Sequence, residues 1–196
     1  MILQGIEQPS DIKVELEQYS TPASIAADVL WYAYYNGDIK EKVVLDAGCG
    51  TGIFAIGAAL LEAKRVIGID IDGKMIEGAR KEAEKFHVDA DFMVMDISDF
   101  EEHVDTVIMN PPFGAQFSNR GADKIFIKKA MEVGNKIYSL HLKKSSTFIK
   151  NMMEKEGWKI GRGKEYRFPI KASFPFHEKR VVDYDVELIY AFKMPL

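Results

Sequence analysis

The sequence contains a single cysteine, Cys49, among its 196 residues. One cysteine excludes an internal disulfide framework and a zinc site built from several cysteines, and it fits a reducing compartment such as the cytoplasm. No apolar run approaches the ~20 residues that span a bilayer, and the first residues lack the basic stretch of a secretory signal. We therefore expect a soluble cytoplasmic protein that has no membrane contact and folds as one domain over residues 1–196.

Positive charge is scarce overall, because 26 Lys and Arg stand against 30 Asp and Glu, a net charge of −4 at pH 7. That balance is unusual for a protein that binds nucleic acid, but the average hides an asymmetry. Residues 120–180 contain 16 basic and 6 acidic side chains, a net charge of +10, whereas the rest of the chain carries −14. Such a segment can attract phosphate groups, and the alternative is a solvated surface that serves no partner.

Short β-branched runs alternate with helical stretches along most of the chain. The predicted strands are 43–46, 65–70, 92–95, 104–109, 136–140, 158–168 and 181–192, and the predicted helices are 52–62, 73–86, 121–133 and 145–156. This alternation predicts an α/β fold with a doubly wound, Rossmann-like sheet of seven strands, in which the last two strands form an antiparallel hairpin. Two amphipathic stretches, 8–18 and 22–36, predict a helical N-terminal extension over residues 1–40, ahead of a core over residues 41–196.

A glycine-rich segment, Asp46-Ala-Gly-Cys-Gly-Thr-Gly52, follows the first predicted strand and opens a helix. Glycines at this point let the backbone approach a ligand closely. The spacing differs from the dinucleotide-binding pattern, because Ile53 occupies the place of its last glycine, and the Lys-Ser/Thr pair of a Walker loop is absent. Taken alone, the segment is equally compatible with an ordinary tight turn between a strand and a helix.

Acidic residues stand at the ends of the first three strands, at Asp46, Asp70 and Asp96. Ligands of open α/β sheets bind beyond the carboxyl ends of the strands. Asp70 can accept two hydrogen bonds from a ribose diol and Asp96 one from an exocyclic amine of adenine, while Ile71 and Ile97 offer apolar surface to the ring. Singly, each aspartate is more typical of a turn or a helix cap. Three of them around one glycine loop indicate a nucleoside-binding site.

Asn110-Pro-Pro-Phe113 directly follows the fourth strand. The side-chain oxygen of Asn110 and the carbonyl of Pro111 can accept both hydrogens of a planar amino group, and Phe113 can stack on an extruded base. Two such acceptors localise the nitrogen lone pair and stabilise positive charge as the nitrogen attacks a methyl group. The alternative is a strand end stiffened by Pro111 and Pro112 and followed by a core phenylalanine.

Together, the glycine loop, the strand-end acids and the Asn-Pro-Pro-Phe segment resemble the class I S-adenosylmethionine-dependent methyltransferases. The last segment is similar to the Asn/Asp-Pro-Pro-aromatic motif of the amino methyltransferases. That motif implies Asn110, Pro111, Pro112 and Phe113 as catalytic residues. The targets of those enzymes are adenine N6, cytosine N4 and the glutamine amide, and the motif does not choose among them.

Three further segments narrow the resemblance to the methyltransferase-like protein 5 group of ribosomal-RNA adenine N6-methyltransferases. They are Glu17-Gln-Tyr-Ser-Thr-Pro22, Tyr138-Ser-Leu-His141 and Phe176-His-Glu-Lys-Arg180. The resemblance implies S-adenosylmethionine as donor, RNA as acceptor and a small zinc-binding activator protein that pairs along an edge strand, for which 92–95 is the candidate. The predicted donor-binding residues combine the strand-end residues with those that the resemblance implies. They are Gln18, Thr21, Asp46, Gly48, Thr51, Ile53, Asp70, Ile71, Asp96, Ile97 and Asn110. We expect no metal ion in the protein.

The basic segment supplies the candidate RNA-binding residues. They are Arg120, Lys143, Lys144, Lys171, Phe176, His177, Lys179 and Arg180. Tyr166, Phe168 and Phe174 alternate with these cations, as is typical of surfaces where bases stack and phosphates pair. For Tyr166 and Phe168, packing on the sheet is an equal alternative. We expect His141 and Cys49 to have no catalytic role, since amino methylation requires neither.

Two other functions remain open. One is a protein methyltransferase that acts on a glutamine amide of a translation factor, although such enzymes usually carry a longer N-terminal domain and a tyrosine in place of Phe113. It would also leave the basic segment unexplained. The other is a non-catalytic scaffold that binds the donor, against which the intact Asn110-Pro-Pro-Phe113 segment argues.

Overall fold

The computed structural model describes residues 2–6, 20–113, 121–172 and 180–194, and a mixed β-sheet runs through the centre of the molecule. The helices of these ranges are α1 (Ala23–Tyr35), α2 (Ile53–Leu60), α3 (Gly73–Lys85), α4 (Ala122–Val133) and α5 (Lys143–Lys155). The strands are β1 (Val43–Ala47), β2 (Arg65–Asp70), β3 (Asp91–Val94), β4 (Val104–Met109), β5 (Gly134–Leu142), β6 (Lys159–Ile160), β7 (Lys164–Ala172) and β8 (Arg180–Phe192). Short 3₁₀ helices cover Ile2–Gly5 and Ile97–Asp99.

The sheet has the order β3-β2-β1-β4-β5-β8-β6, and β7 also pairs with β8. Strands β1 to β5 are parallel, whereas β8 is antiparallel to its neighbours. From β1 the chain moves outward through β2 to β3 and then crosses to β4 on the other side of β1. This crossing creates a topological switch point between β1 and β4, where open α/β sheets bind their ligands. The predicted doubly wound fold is confirmed.

The predicted bounds of the strand 158–168 are wrong, because the structure has two strands in this region, β6 and β7. β6 and β7 lie along the same edge of β8, so together they are one interrupted strand, and the sheet keeps seven positions. The interruption contains two glycines in tight places. A Cβ at Gly161 would lie 2.3 Å from the ring of Tyr190, and one at Gly163 would lie 2.7 Å from the carbonyl oxygen of Leu188. Any side chain would be excluded at these two positions.

Helices α1, α2 and α3 cover one face of the sheet, and α4 and α5 cover the other. Consecutive strand residues alternate between the two apolar cores, as Val44 packs on the first side and Leu45 on the second. Since both faces are covered, the central parallel strands β1, β2 and β4 are rich in apolar residues, as is typical of parallel sheets. Residues 53–58 of α2 are all buried, because this helix lies between its neighbours as well as on the sheet.

Helix α1 confirms the second predicted amphipathic stretch, and the first, 8–18, lies outside the described residues. Its apolar side is buried, with Ala26 and Val29 fully covered. On its other side, Asp28 accepts hydrogen bonds from Lys164 (2.9 Å to each oxygen) and from the hydroxyl of Tyr166 (2.7 Å). The helix is therefore joined to β7 as well as to the sheet.

In the part of the chain that the structure describes, no helix is long and apolar enough to cross a membrane.

Candidate active site

The candidate residues lie at one level of the sheet, at the carboxyl ends of β2, β1 and β4. The register pairs Ala47 of β1 with Ile69 on one side and with Met109 on the other. The residues that follow these three are Gly48, Asp70 and Asn110. The glycine loop, the proposed ribose acceptor and the first residue of Asn-Pro-Pro-Phe therefore meet at the switch point.

The glycine loop folds back over the end of β2. The amides of Gly48 and Cys49 both donate to the carbonyl oxygen of Ile69, at 2.9 Å each. Gly48, Gly50 and Gly52 have φ angles of 71°, 54° and 81°, the left-handed region that residues with a Cβ avoid. This conformation, rather than a generic preference for small residues, explains the three glycines. Helix α2 begins directly after the loop, at Ile53.

Asp70 fixes the loop from the end of β2. Its Oδ2 accepts a hydrogen bond from the amide of Gly50 and its Oδ1 one from the amide of Asp72, both at 2.9 Å. Each carboxylate oxygen keeps a second lone pair, which a ligand hydroxyl can use. Burial raises the pKa of Asp70, and the hydrogen bonds from the amides of Asp72 and Gly50 act in the opposite direction.

Asp46 lies beneath the loop and is only 1% exposed. Its Oδ2 accepts a hydrogen bond from the amide of Ala55 at 2.9 Å, which ties the end of β1 to α2. Burial, together with the nearby charge of Asp70, raises the pKa of Asp46 to about 7, and the hydrogen bond from the Ala55 amide acts in the opposite direction. This position supports the loop, and a direct contact of Asp46 with the donor stays a prediction.

Replacing Asp46 with asparagine should make the protein more stable at pH 8 but not at pH 4. The native carboxyl binds its proton more tightly than the unfolded one, so native stability falls as the pH rises from about 4 to about 7. Asparagine removes this dependence while keeping an acceptor for the Ala55 amide. Urea unfolding of both proteins at several pH values should show a stability difference that widens by up to about 1.4 kcal/mol per pH unit in that interval. A difference that does not change with pH would contradict the assigned titration.

The third strand end is built differently. Asp96 caps the 3₁₀ helix Ile97–Asp99, and its Oδ1 accepts hydrogen bonds from the amide and the hydroxyl of Ser98. Ile97 is buried, whereas Ile71 is 58% exposed and can cover a ligand ring. Thr51 is half-buried and Ile53 is buried at the start of α2. Asp96 therefore caps a helix, which was the alternative to a ligand contact. Its contact with adenine stays a prediction.

Asn110 and Phe113 each contact one distant residue. The Nδ2 of Asn110 donates to the hydroxyl oxygen of Thr21 at 3.1 Å. Its Oδ1 is buried and has no hydrogen-bond donor among the described residues. The half-buried ring of Phe113 packs edge-to-face on Phe168, with the ring centroids 5.8 Å apart. The site therefore presents one unsatisfied acceptor and one oriented aromatic ring.

His141 and Cys49 are both buried, and the absence of a catalytic role for either one stays a prediction. His141 is fully enclosed, and burial lowers the pKa of His141 to about 3, so that the ring is neutral and packs beside the hydroxyl of Ser139. Burial also raises the pKa of the Cys49 thiol well above its usual value, which removes the thiolate required of a nucleophile.

Phe168 is fully buried, so the prediction that it stacks on RNA is wrong. Its side chain points into the core of the sheet, because β7 is covered there by α1 and by Phe113. Tyr166 is half-buried and directs its hydroxyl to Asp28. Both side chains therefore pack on the sheet, which was the alternative to stacking on RNA. Sequence reasoning missed the contacts of Thr21, Asp28 and Phe168, because each joins residues far apart in the chain.

The described residues include only part of the predicted RNA-binding set. Lys143 forms an ion pair with Glu165 at 2.8 Å, and Lys144 is exposed beside it at the start of α5. The backbones of Lys171 and Arg180 lie in the hairpin of β7 and β8. The predicted residues outside the described ranges are Gln18, Arg120, Phe174, Phe176, His177 and Lys179. The RNA-binding roles stay predictions.

A switch point flanked by this glycine loop and by Asn-Pro-Pro-Phe defines a class I S-adenosylmethionine-dependent methyltransferase, and comparison with known proteins agrees. The family model of ribosomal protein L11 methyltransferase (PrmA) matches residues 31–165. METTL5 of Danio rerio, an rRNA N(6)-adenosine-methyltransferase, is 38% identical over 94% of this chain and 91% of its own. The chain therefore belongs to the METTL5 family of class I methyltransferases, and S-adenosylmethionine is its methyl donor.

Two archaeal proteins are also similar over nearly their whole length. An uncharacterised protein of Methanocaldococcus jannaschii is 41% identical over 95% of this chain and 89% of its own. The crystal structure of a candidate RNA methyltransferase of Pyrococcus horikoshii is 35% identical, with a TM-score of 0.91, over 99% of this chain and 95% of that one. The similarity therefore extends beyond the donor-binding core to the N-terminal helix and the terminal hairpin.

Proposed function

We propose that this enzyme transfers the methyl group of S-adenosylmethionine to N6 of adenosine in ribosomal RNA. The observation that carries the proposal is the carbonyl oxygen of Asn110, which is buried at the switch point and has no donor among the described residues. A buried acceptor without a partner is costly unless a ligand supplies the donor. An exocyclic amino group supplies it, and the relatives that match over most of the chain are named rRNA N(6)-adenosine-methyltransferases.

The residues around the glycine loop fit the proposed donor. A Cβ at Gly50 would meet no described atom within 4 Å, so the loop is open on that side, and Asp70 has free lone pairs for ribose hydroxyls. Ile71 is exposed next to Asp70 and can cover the adenine ring. We propose that these residues bind the donor, with others of the predicted set in support: Gln18, Asp46, Gly48, Thr51, Ile53, Asp96 and Ile97.

The donor supplies an electrophilic methyl group on a positively charged sulfur, and the protein prepares the nitrogen that accepts it. The amino nitrogen of adenine is a poor nucleophile, because its lone pair is delocalised into the ring. The Oδ1 of Asn110 and the carbonyl oxygen of Pro111 accept its two hydrogens and so favour a tetrahedral nitrogen. They also stabilise the positive charge that develops on it. The ring of Phe113 holds the base in plane for in-line attack.

No residue is required to remove a proton before the attack. After the transfer the nitrogen is positively charged and acidic, because it carries the ring carbon, the new methyl group and both of its hydrogens, and it then loses one of these protons to water. The burial of His141 and Cys49, which keeps both side chains neutral, agrees with a reaction that uses no side-chain base.

Positive charge near the site supports RNA as the acceptor. The first turns of α4 and α5 expose Lys124, Lys128 and Lys144, and Phe126 of α4 lies against Gly48 of the glycine loop. Lys124 also lies 4.6 Å above the exposed ring of Phe148, so cations and an aromatic surface occur together there. A glutamine side chain of a protein would use none of these features.

Methyl transfer from labelled S-adenosylmethionine to RNA and protein fractions of cells that lack the enzyme tests this function. Label in N6-methyladenosine of ribosomal RNA is the expected result. Label in a protein fraction would assign the glutamine-amide reaction instead, and label in N4-methylcytidine would change the base. Donor binding without transfer to any fraction would identify a scaffold.

Replacing Lys179 and Arg180 together with glutamine should weaken RNA binding and reduce its salt dependence. Each lost phosphate contact lowers the slope of log K against log salt by about 0.7 to 0.9, so the double variant should lose up to about 2. Lys42→Gln with Lys64→Gln is the matched control, because both lysines stand at the opposite, amino ends of β1 and β2. Fluorescence titrations over a salt series measure the slope, and an unaltered slope would place the RNA elsewhere.

We further propose that a small zinc-binding activator protein pairs with β3. This strand stands at one end of the sheet, and its Val94 is 58% exposed. A free edge can accept a strand from a partner through backbone hydrogen bonds.

We propose the cytoplasm as the place of action, since ribosomal RNA is found there and Cys49 is a free thiol.

A further inference from the structure

The amide of Asn110 has two chemically different ends, and only one of them can accept a hydrogen bond. If the amide were rotated by half a turn, its NH₂ group would face the amino group of the base, donor against donor. Rotation of an amide about its last bond is easy unless a neighbouring group holds it through a hydrogen bond. The proposed function therefore requires something that fixes the amide in one orientation.

We propose that Thr21 is this positioning residue: its hydroxyl oxygen anchors the amide of Asn110 by accepting from the NH₂ group, and the substrate amino group, which donates, pairs with the carbonyl oxygen on the other side. The inference rests on the proposed function. Its evidence is the 3.1 Å hydrogen bond from Asn110 Nδ2 to Thr21 Oγ1, together with the buried Oδ1, to which no residue in the described ranges donates. The resemblance placed Thr21 over the methyl donor, whereas this contact gives it a role toward the acceptor.

The surroundings of Thr21 hold it firmly enough for such a role. Its side chain is 5% exposed, so water does not compete well for its hydroxyl. Pro22 follows with a φ of −55° and caps α1, which restricts the backbone next to Thr21. A rigid supporting group is what keeps a catalytic side chain in a productive geometry.

Helix α1 is itself anchored at a second point. Asp28, less than two turns from the start of α1, binds Lys164 and Tyr166 of β7. The same strand carries Phe168, against which Phe113 packs. Strand β7 thus supports both ends of the catalytic segment, Phe113 directly and Asn110 through α1 and Thr21.

Thr21→Val tests the proposal, because valine has nearly the shape of threonine but no hydroxyl. With the wild-type acceptor at saturation, kcat should fall by about 10- to 100-fold, since the amide is no longer held in one orientation. The dissociation constant of S-adenosylmethionine, measured by calorimetry, should stay within about twofold. Thr21→Ser, which keeps the hydroxyl, should bring kcat back to within about fivefold of the wild-type value.

A double variant separates positioning from packing. If Thr21 acts through Asn110, adding Thr21→Val to Asn110→Ala should lower kcat no further than Asn110→Ala alone. Equal losses in the valine and serine variants, or a full additional loss in the double variant, would overturn the proposal. So would a weakened donor affinity with unchanged kcat, which would return Thr21 to the donor.

The outcome is separable from that of the proposed function. If the wild-type enzyme methylates a glutamine amide, the adenosine assignment fails, but Thr21 can still be tested with that acceptor, because it presents the same planar NH₂ group. If RNA adenosine is methylated and the valine variant is fully active, only the role of Thr21 is wrong.

Discussion

Replacing Asn110 with alanine should lower kcat by about 10²-fold or more while S-adenosylmethionine still binds. The change removes a buried acceptor at the switch point that has no partner among the described residues. In the wild type that oxygen gains its hydrogen bond as the amino nitrogen becomes tetrahedral, so its loss affects the transition state more than the ground state. Single-turnover methyl transfer with saturating donor and RNA measures the effect, and calorimetry measures donor affinity.

Two further variants sharpen this test. Asn110→Asp keeps an acceptor oxygen, so it should retain more activity than alanine at a pH where the carboxylate is ionised. Asn151→Ala is the matched control, because Asn151 is exposed on α5 away from the switch point. If Asn110→Ala transferred methyl groups within severalfold of the wild-type rate, the assigned acceptor would be wrong.

The parallel core of the fold was predictable because its signals are local. The strands over 65–70 and 104–109 have the predicted bounds, since apolar residues that are buried on both faces form nearly continuous runs. The Asp72 cap of α3 was equally readable, and its side chain accepts from the amide of Lys74. Local preference and global fold agree at these places.

The terminal strands were less predictable because their limits depend on distant partners. The break between β6 and β7 occurs where Gly161 approaches Tyr190, a residue of β8. Nothing within 158–168 indicates how near that ring will lie. The same applies to Phe168, whose alternation along a strand fits either face until the covering helix is known.

The residues of the candidate site likewise fall into those that could be predicted from the sequence and those that could not. The glycine loop and Asn110-Pro-Pro-Phe113 are contiguous motifs, and sequence alone brings out their chemistry. The contact between Thr21 and Asn110 spans 89 positions of the sequence, and that between Asp28 and Lys164 spans 136. The groups that do the chemistry could therefore be predicted, whereas the groups that hold them in place could not.

Replacing Asp70 with alanine should weaken the binding of S-adenosylmethionine by about 10²-fold, with a smaller effect on kcat at saturating donor. The change removes the acceptor of the Gly50 and Asp72 amides, so the glycine loop loses its tie to β2. It also removes the proposed acceptor of the ribose hydroxyls. Hydrogen bonds to a charged group contribute about 1.5–3 kcal/mol each, and about 1.4 kcal/mol corresponds to tenfold in affinity. Calorimetric titration with the donor measures the change.

Asp70→Asn separates the two contributions to the lost donor affinity, namely the support of the glycine loop and the contact with the ribose hydroxyls. Asparagine keeps one oxygen, which can still accept from the Gly50 amide, but its NH₂ group cannot accept from the Asp72 amide or from a ribose hydroxyl. Its donor affinity should therefore lie between those of the wild type and the alanine variant. Asp89→Ala, an exposed aspartate ahead of β3, is the matched control for loss of surface charge. Donor affinity unchanged in Asp70→Ala would remove this carboxylate from the ribose, and the loop alone would then have to account for donor binding.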